Sequence, residues 1–327
     1  MNTRLSRRHA LAALAAAAAT PWVHAQSKWP TKPVRIVVPF GAGGVADLTA
    51  RAVGDQLGKQ LGQAVIIDNK PGAGGITAGT SVLQAPADGY TLFLMSNGTA
   101  VSEGLFNKLP FHSRTDFAPI SLLGTFDIAV VVPENSRFKS LDDLLAEAKA
   151  KPGKLNIATI AVGSTQNLAA ELFKTTSGIN VQIVPFNGTP QVVTALRGGQ
   201  VDAAVEIVAP IRSQIDAKAL RPLATFGEKR ATGLADVPTA NEVGGALKGL
   251  YIASWNALAA PAKVPKDVID RMNHECVVAL ANPEVKKKLA DLSVDAKSST
   301  PQQLGALLDS EIKRWSGVIE HAKIPKM

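Results

Sequence analysis

Two glycine-bearing segments of this 327-residue chain have the composition of anion-binding loops. The first, Gly41 to Ala46, reads GAGGVA and stands between a β-branched run and a helical pattern; the second, Ala161 to Thr165, reads AVGST and also precedes a helical pattern. The start of a helix presents unpaired N–H groups and a partial positive charge, which together bind anions. If both segments face one cleft, a carboxylate can be held between them without a lysine or arginine.

A second hypothesis follows from the first segment alone. Gly41, Gly43 and Ala46 match the G-x-G-x-x-G/A fingerprint of dinucleotide-binding proteins, and Asp68 follows Gly41 by 27 residues, where about 20 is usual. The alternative function is therefore an exported NAD(P)-dependent oxidoreductase. Pro39-Phe40 interrupts the turn from strand to glycine, and no residue pattern for hydride transfer stands out. This alternative is the weaker of the two and stays open at this point.

The segments around these loops alternate between strand and helix patterns. The β-branched run at 34–38 predicts a strand, and apolar spacing predicts a helix over 45–61. Further strands are predicted at 64–67, 91–95, 155–158, 181–184 and 201–205, with a helix at 166–177 capped by Ser164 or Thr165. Repeated βα units predict an α/β fold with mainly parallel sheets.

Two apolar extended runs, 126–132 and 251–259, are the predicted crossover strands of a hinge. The expected architecture has two lobes, and each lobe is a mainly parallel sheet flanked by helices. Lobe 1 would comprise residues 26–124 and 251–327, and lobe 2 residues 125–250. The ligand site would lie between the lobes.

Residues 1–25 are predicted to be an export signal. A basic start is followed by an Ala/Leu stretch and the small-residue exit Val23-His24-Ala25, so we expect cleavage after Ala25 and a periplasmic location. Ser6-Arg7-Arg8 is similar to a twin-arginine signal, and both export routes stay open. No later segment holds 18 consecutive apolar residues, so we expect no membrane span in the mature chain.

Composition excludes several other classes of protein. The formal charge is +8, of which +5 remains once the three arginines of the signal are removed, and aromatic residues make up only 5% of the chain. Nucleic-acid binders interleave basic stripes with stacking aromatics, so we expect no nucleic-acid partner. Cys276 is the single cysteine, the histidines are isolated, and no hydrolase motif occurs. We therefore predict no catalytic residues, no metal site and no cofactor.

The order of motifs along the mature chain closely resembles the substrate-binding proteins of tripartite tricarboxylate transporters, the Bug family. The stretches that carry the resemblance are Trp29-Pro30 with Lys32-Pro33, Val37 to Phe40 with Gly43-Gly44 and Asp47, Asp68 to Gly75, Asp88 to Leu92, Asp116 to Pro119, Val184 to Phe186 with Gly188, Gly198 to Asp202, Asp236 to Thr239, and Ala260-Pro261. So many matches in order make the resemblance specific.

The resemblance implies a two-lobed, type II-like periplasmic-binding-protein fold. It also implies a periplasmic receptor that closes on a small carboxylate and delivers it to a membrane permease, with a receptor whose closure signals to a sensor protein as a variant. We expect a monomer. In such proteins the main-chain amides of the two helix-start loops hold the carboxyl group, a role that here would fall to Phe40, Gly41, Ala42, Gly43, Gly44, Gly163, Ser164 and Thr165. Asp47 is expected to anchor the first loop or a water.

Four further positions are candidates for ligand contact. Asn97 follows a predicted strand at its carboxyl end, where α/β clefts collect ligands. Asn167, Phe186 and Glu206 occupy positions where the family often carries other residues, so the preferred ligand is expected to differ from tricarboxylates. Glu206 would either meet a ligand ammonium or be an exposed or locally paired acid.

Overall fold

The computed structural model describes residues 29–327, so the predicted export signal and its cleavage point lie outside the described residues. By internal contacts the chain divides into two units, Met1–Thr31 and Lys32–Met327, and every helix and strand described below belongs to the second. Among the described residues, no helix combines the length and the apolar character needed to cross a membrane.

The strands and helices alternate through most of the chain, as the βα pattern predicts. The strands are β1 Val34–Val38, β2 Val65–Asn69, β3 Thr91–Ser96, β4 Phe117–Pro133, β5 Asn156–Ile160, β6 Gln182–Phe186, β7 Ala203–Ile207, β8 Leu220–Thr225, β9 Ala253–Pro261 and β10 Asp295–Ala296. The α-helices are α1 Val45–Leu61, α2 Ile76–Leu83, α3 Asn97–Leu105, α4 Leu141–Ala150, α5 Thr165–Ser177, α6 Thr189–Arg197, α7 Val208–Asp216, α8 Ala240–Val243, α9 Lys266–Ala281, α10 Pro283–Asp291 and α11 Pro301–His321.

The strands follow the order β2-β1-β3-β9-β4-β7-β5-β6, with β8 and β10 also paired to β4. We call β2, β1, β3, β9 and residues 117–127 of β4 the first sheet half. The second sheet half is residues 128–133 of β4 with β7, β5, β6 and β8. Within each half, three neighbouring strands run parallel, β2-β1-β3 in the first and β7-β5-β6 in the second.

Strand β4 connects the two sheet halves. Asp127 pairs with Ala253 of β9, and the next residue, Ile128, pairs with Ile207 of β7. Strand β9 lies in the first half, and just before it the Ile252 N–H donates to the Phe226 oxygen at 2.7 Å. Of the two predicted crossover strands, β4 thus forms ladders in both halves, whereas β9 forms them in the first half only.

Tertiary pairing changes several boundaries that local patterns predicted. Strand β2 runs two residues past the predicted end because Val38 of β1 pairs with Asn69. The segment after β3 is the first turn of α3, where Ser96 and Thr99 form a capping box. Strand β8 was not predicted; Pro222 interrupts its pattern, which is tolerated where proline need not donate to a neighbour.

The core beneath the site is continuous across both sheet halves. Its largest fully buried side chains include Phe93 of β3, Phe173 of α5, Phe226 directly after β8, and Trp315 of α11. Phe173 and Phe226 pack with their ring centroids 5.5 Å apart. Helix α11, which carries Trp315, packs against both α3 and α5, which follow strands of the first and second halves.

Candidate functional site

The first glycine loop leaves the carboxyl end of β1 and leads into α1. Gly43 adopts φ +83°, a left-handed conformation that glycine accepts without steric cost, and Gly44 is the cap residue before the helix. Asp47, in the first turn of α1, turns back and accepts the Gly43 N–H at 2.9 Å. The loop is thus held by a side chain four residues further along the chain.

An ionic network holds this carboxylate. Arg51, one turn further along α1, donates to Asp47 at 3.0 Å, and its Nη2 also donates to the Asn69 side-chain oxygen at 3.2 Å. Asn69 then donates to the Phe40 carbonyl at 3.0 Å. Burial opposes ionisation of Asp47, but hydrogen bonds from Arg51, Gly43 and Asn69 hold its pKa below the ordinary value.

The second glycine loop repeats this geometry at the carboxyl end of β5. Gly163 adopts φ +77°, Ser164 caps α5, and the Asn167 side-chain oxygen accepts the Gly163 N–H at 3.1 Å. The Ser164 hydroxyl accepts the Asn167 N–H at 3.1 Å, and Asn167 donates its amide to Thr159 at 3.3 Å. This network is neutral throughout.

The two left-handed glycines already use their N–H groups within the chain. The sequence predicts that the N–H groups of Gly43 and Gly163 hold the ligand; in the structure both donate to side chains of their own helices. The hydrogen bonds within the described part of the chain leave other donors in the same loops without a partner. They are the first-turn N–H groups of Val45, Ala46, Thr165 and Gln166, together with that of Gly44.

Asn97 lies between the two loops. Strands β1 and β3 are paired neighbours, so the first loop and the start of α3 leave the same edge of the sheet. Asn97, the first residue of α3, donates to the Thr165 hydroxyl at 3.1 Å across the two halves. It also accepts the Trp315 indole N–H at 2.9 Å, which fixes the orientation of its amide.

A close packing contact adds to this bridge. A β-carbon on Gly163 would lie 2.3 Å from the Leu105 side chain of α3, so the second loop approaches α3 as closely as a glycine allows. The predicted residues from the loops and the β3 end are therefore brought to one region, with α3 at its centre.

Glu206, the residue before the end of β7, is fully buried and contacts the start of α5 through Gln166. Its carboxylate accepts hydrogen bonds from the Gln166 amide at 2.7 Å, the Ile207 N–H at 2.9 Å and the Thr189 hydroxyl at 3.0 Å. Of the two roles expected for this residue, the local pairing is present. Burial raises the pKa of Glu206, an effect that the three donors reduce.

Two apolar side chains of the loops are exposed. Phe40 is 41% exposed and Val162 is 49% exposed, whereas most large apolar side chains of the described chain are buried. Phe186 ends β6, directly beside Ile160 of β5, and is half-buried. Apolar side chains thus lie beside the polar loop backbone, which suits a ligand with an apolar body and a charged end.

Several residues that build this site are not among the positions that the sequence predicts. Arg51 lies four residues after Asp47, a spacing at which helical side chains meet, so it was readable from the sequence. Asn69 and Thr189 stand at a strand end and a helix start, which is a weaker signal. Trp315 is 218 residues from Asn97, and no local pattern connects the two.

The remaining reactive groups are engaged elsewhere. Asp68, the acid of the dinucleotide hypothesis, forms ion pairs with Arg35 and Lys70. Cys276 is buried, and burial raises the pKa of its thiol to about 12. Within residues 29–327, His, Cys, Asp and Glu side chains form no cluster that could bind a metal ion.

A two-half α/β sheet with its polar loops at one edge defines the class of periplasmic binding proteins. The model of the tripartite tricarboxylate transporter family receptor matches residues 49–324, and the chain belongs to this family. It is 33% identical over 294 residues to protein BugT of Bordetella pertussis strain Tohama I, an alignment that covers 89% of each chain.

Solved structures agree with this assignment. R. palustris Rpa4515, solved with adipate, is 30% identical to this chain. The superposition covers 91% of this chain and 100% of Rpa4515, with a TM-score of 0.80. MatC from Rhodopseudomonas palustris, solved with bound malate, is also 30% identical to this chain. The superposition covers 89% of this chain and 100% of MatC, with a TM-score of 0.75. The protein is a transporter receptor and not an enzyme, so the oxidoreductase alternative is wrong.

Proposed function

We propose that the protein captures a small organic carboxylate between its two glycine loops and delivers it to the membrane permease of a tripartite transporter. The observation that carries the proposal is the Asn97–Thr165 hydrogen bond of 3.1 Å, which joins the element beside the first loop to the start of the second. The first turns of α1 and α5 then border one region, and each has N–H groups without a hydrogen-bond partner among the described residues. The structures of Rpa4515 with adipate and MatC with malate support the same ligand class.

Main-chain donors provide enough binding free energy for this role. Hydrogen bonds to a charged group contribute about 1.5–3 kcal/mol each. Four or five of them, from Gly44, Val45 and Ala46 in the first loop and from Thr165 and Gln166 in the second, reach the roughly 8 kcal/mol of a micromolar complex. Gly43 and Gly163 contribute by holding the loops in place.

Closure of two lobes supplies the signal to the permease in this proposal. The lobes are residues 26–124 with 251–327, and residues 125–250, and β4 connects them. Closing the lobes buries Phe40 and Val162 against the apolar body of the ligand and removes water from the carboxylate. The receptor acts as a monomer, and the closed form is the one that the permease recognises; a sensor protein that reads the same closed form is the second candidate partner.

Thermal-shift and calorimetric titration of the exported protein with monocarboxylates and dicarboxylates tests ligand capture. A ligand that binds only the folded protein raises its stability with the logarithm of ligand concentration over Kd. We expect at least one small carboxylate to bind with micromolar Kd, and the matched amide of that compound to bind at least about tenfold more weakly. Equal binding of acid and amide would contradict the proposed role of the loops.

A further inference from the structure

The donors around Glu206 come from three different helix starts. Gln166 is the second residue of α5, Thr189 is the first residue of α6, and Ile207 immediately precedes α7. Helix starts favour a nearby negative charge, so the fold has placed a carboxylate of its own where these three helices converge. No lysine, arginine or histidine of the described residues lies within ion-pair distance of Glu206.

This arrangement sets the direction of the neighbouring hydrogen bonds. An ionised carboxylate only accepts, so the Gln166 amide nitrogen and the Thr189 hydroxyl hydrogen must both point towards Glu206. What remains for a ligand is the Gln166 side-chain oxygen, the second N–H of the same amide and the lone pairs of the Thr189 oxygen. Two of these three groups accept hydrogen bonds.

The negative charge of Glu206 also favours a hydrogen-bond donor over an anionic group on the ligand. A second anionic group at the Gln166 and Thr189 side chains would lie near a buried carboxylate that has no cationic partner among the described residues, and like charges in a site of low dielectric repel. A ligand ammonium or hydroxyl would instead find acceptors and a favourable potential.

Resting on the proposed carboxylate capture, we propose that Glu206 makes the receptor select ligands with a hydrogen-bond donor at the end remote from the carboxylate. The ligand class is an ω-amino or ω-hydroxy carboxylic acid. Glu206 is a positioning residue: it orients Gln166 and Thr189, which contact the donor, and it contributes its charge without touching the ligand.

Matched ligands separate this proposal from the function on which it rests. For chains of four, five and six carbons, calorimetry compares the ω-amino acid, the ω-hydroxy acid and the dicarboxylate. We expect an ω-amino or ω-hydroxy acid to bind at least about tenfold tighter than the dicarboxylate of equal length. A dicarboxylate that binds as tightly or more tightly overturns the selectivity but leaves carboxylate capture intact. Failure of all nine compounds to bind overturns the proposed function and the selectivity together.

Variants test whether Glu206 is the cause. Glu206→Gln turns one acceptor into a donor and removes the charge, so the preference over the dicarboxylate is expected to shrink about tenfold or more. Thr189→Val removes one outward acceptor and leaves Glu206 with two donors. It is expected to reduce the preference over the dicarboxylate about threefold. This variant replaces Glu206→Gln as the test if Glu206→Gln does not fold.

Glu275→Gln is the matched control. Glu275 is a buried acid on α9 whose partners are Gln60 and Arg271, away from both loops. We expect this variant to keep the wild-type preference even if its stability falls. An unchanged preference in Glu206→Gln and Thr189→Val would assign the selectivity to other residues and overturn the proposal.

Discussion

The two glycine loops share one backbone design and differ in how it is held. Each loop has a left-handed glycine whose N–H donates to the side chain four residues later, Gly43 to Asp47 at 2.9 Å and Gly163 to Asn167 at 3.1 Å. In the first loop that side chain is a carboxylate paired with Arg51; in the second it is an amide bonded to Thr159.

The charge balance explains why each loop uses its own residue type. A carboxylate in the first turn of α1 suits the helix dipole but would repel an anionic ligand, and Arg51 neutralises it. The second loop already has Glu206 beneath it without a cation, so another acid there would be costly. A neutral amide at position 167 gives the same backbone contact without adding charge.

The largest effect is expected when the neutral network is given a charge. Asn167→Asp places a carboxylate at a buried position with no cation beside it. We expect the free energy of unfolding to fall by about 3 kcal/mol at neutral pH. The Kd for a carboxylate should rise about thirtyfold, because an unscreened charge several ångströms away costs about 2 kcal/mol. Urea denaturation and calorimetry measure the two quantities.

Asn167→Ser is the control for Asn167→Asp, since it also removes the amide donor to Thr159 but stays neutral. We expect it to lose less stability and to change Kd only a few-fold. Equal losses in both variants would show that the amide contact matters and the charge does not.

A methyl group on each glycine tests the difference in packing. Gly163→Ala adds a clash with Leu105 to the strain of a positive φ, whereas a β-carbon on Gly43 meets nothing within 4 Å. We expect Gly163→Ala to cost about 2–3 kcal/mol in stability and Gly43→Ala about 1 kcal/mol. Thermal and urea unfolding of the two variants provide the comparison.

Gly62→Ala is the control for strain alone. Gly62 has φ +65° at the far end of α1 and open space around it. It should lose about as much stability as Gly43→Ala and keep wild-type ligand affinity. If Gly163→Ala proved no worse than these two, the close approach of the second loop to α3 would not be needed.

Local patterns predicted the parts of the fold that local interactions determine. Strand β1 and helix α1 have the bounds that the β-branched run and the apolar spacing predict, and Ser164 caps α5 as expected. The periplasmic-binding-protein fold class is likewise confirmed. What failed was set by pairing across the sheet: the end of β2, the length of β4 and the presence of β8 depend on partners that are distant in sequence.

The candidate site shows the same limit. The loops and Asn97 were found because helix starts and strand ends have recognisable sequences. Other features depend on side-chain directions that sequence spacing does not reveal. They are the hydrogen bonds that Gly43 and Gly163 donate within their own loops, and the bond by which Trp315 orients Asn97. The contacts to a ligand and the lobe boundaries stay predictions.

Carboxylates with and without a cation should also differ in how stability depends on pH. Asp127, in β4 where the ladder passes from β9 to β7, has no arginine or lysine partner, and burial with the nearby Asp295 raises its pKa to about 6. The folded protein therefore binds a proton more tightly than the unfolded chain, and this contribution to stability is lost as pH rises from about 4 to above 6. Asp47, whose pKa is lowered, should contribute stability that is lost only as pH falls below about 4.

Asp127→Asn tests this difference. The variant should be more stable than the wild type by about 2 kcal/mol at pH 7.5, and the two should converge near pH 4. Urea denaturation at a series of pH values measures the gap. A gap that is constant with pH would show that Asp127 titrates normally.

The smallest effect is expected when the first loop is made to resemble the second. Asp47→Asn keeps an oxygen for the Gly43 N–H and leaves Arg51 bonded to Asn69, so the loop should retain its shape. Because Arg51 loses its counter-charge, a carboxylate ligand should bind about two- to threefold tighter at low salt, and the gain should vanish at high ionic strength. Arg51→Gln, which leaves Asp47 without its cationic partner, should weaken carboxylate binding by a similar factor.

Calorimetry at two salt concentrations measures carboxylate binding to both variants. Loss of more than about tenfold in Asp47→Asn would mean that the ion pair, and not the backbone contact shared by both loops, holds the site in place.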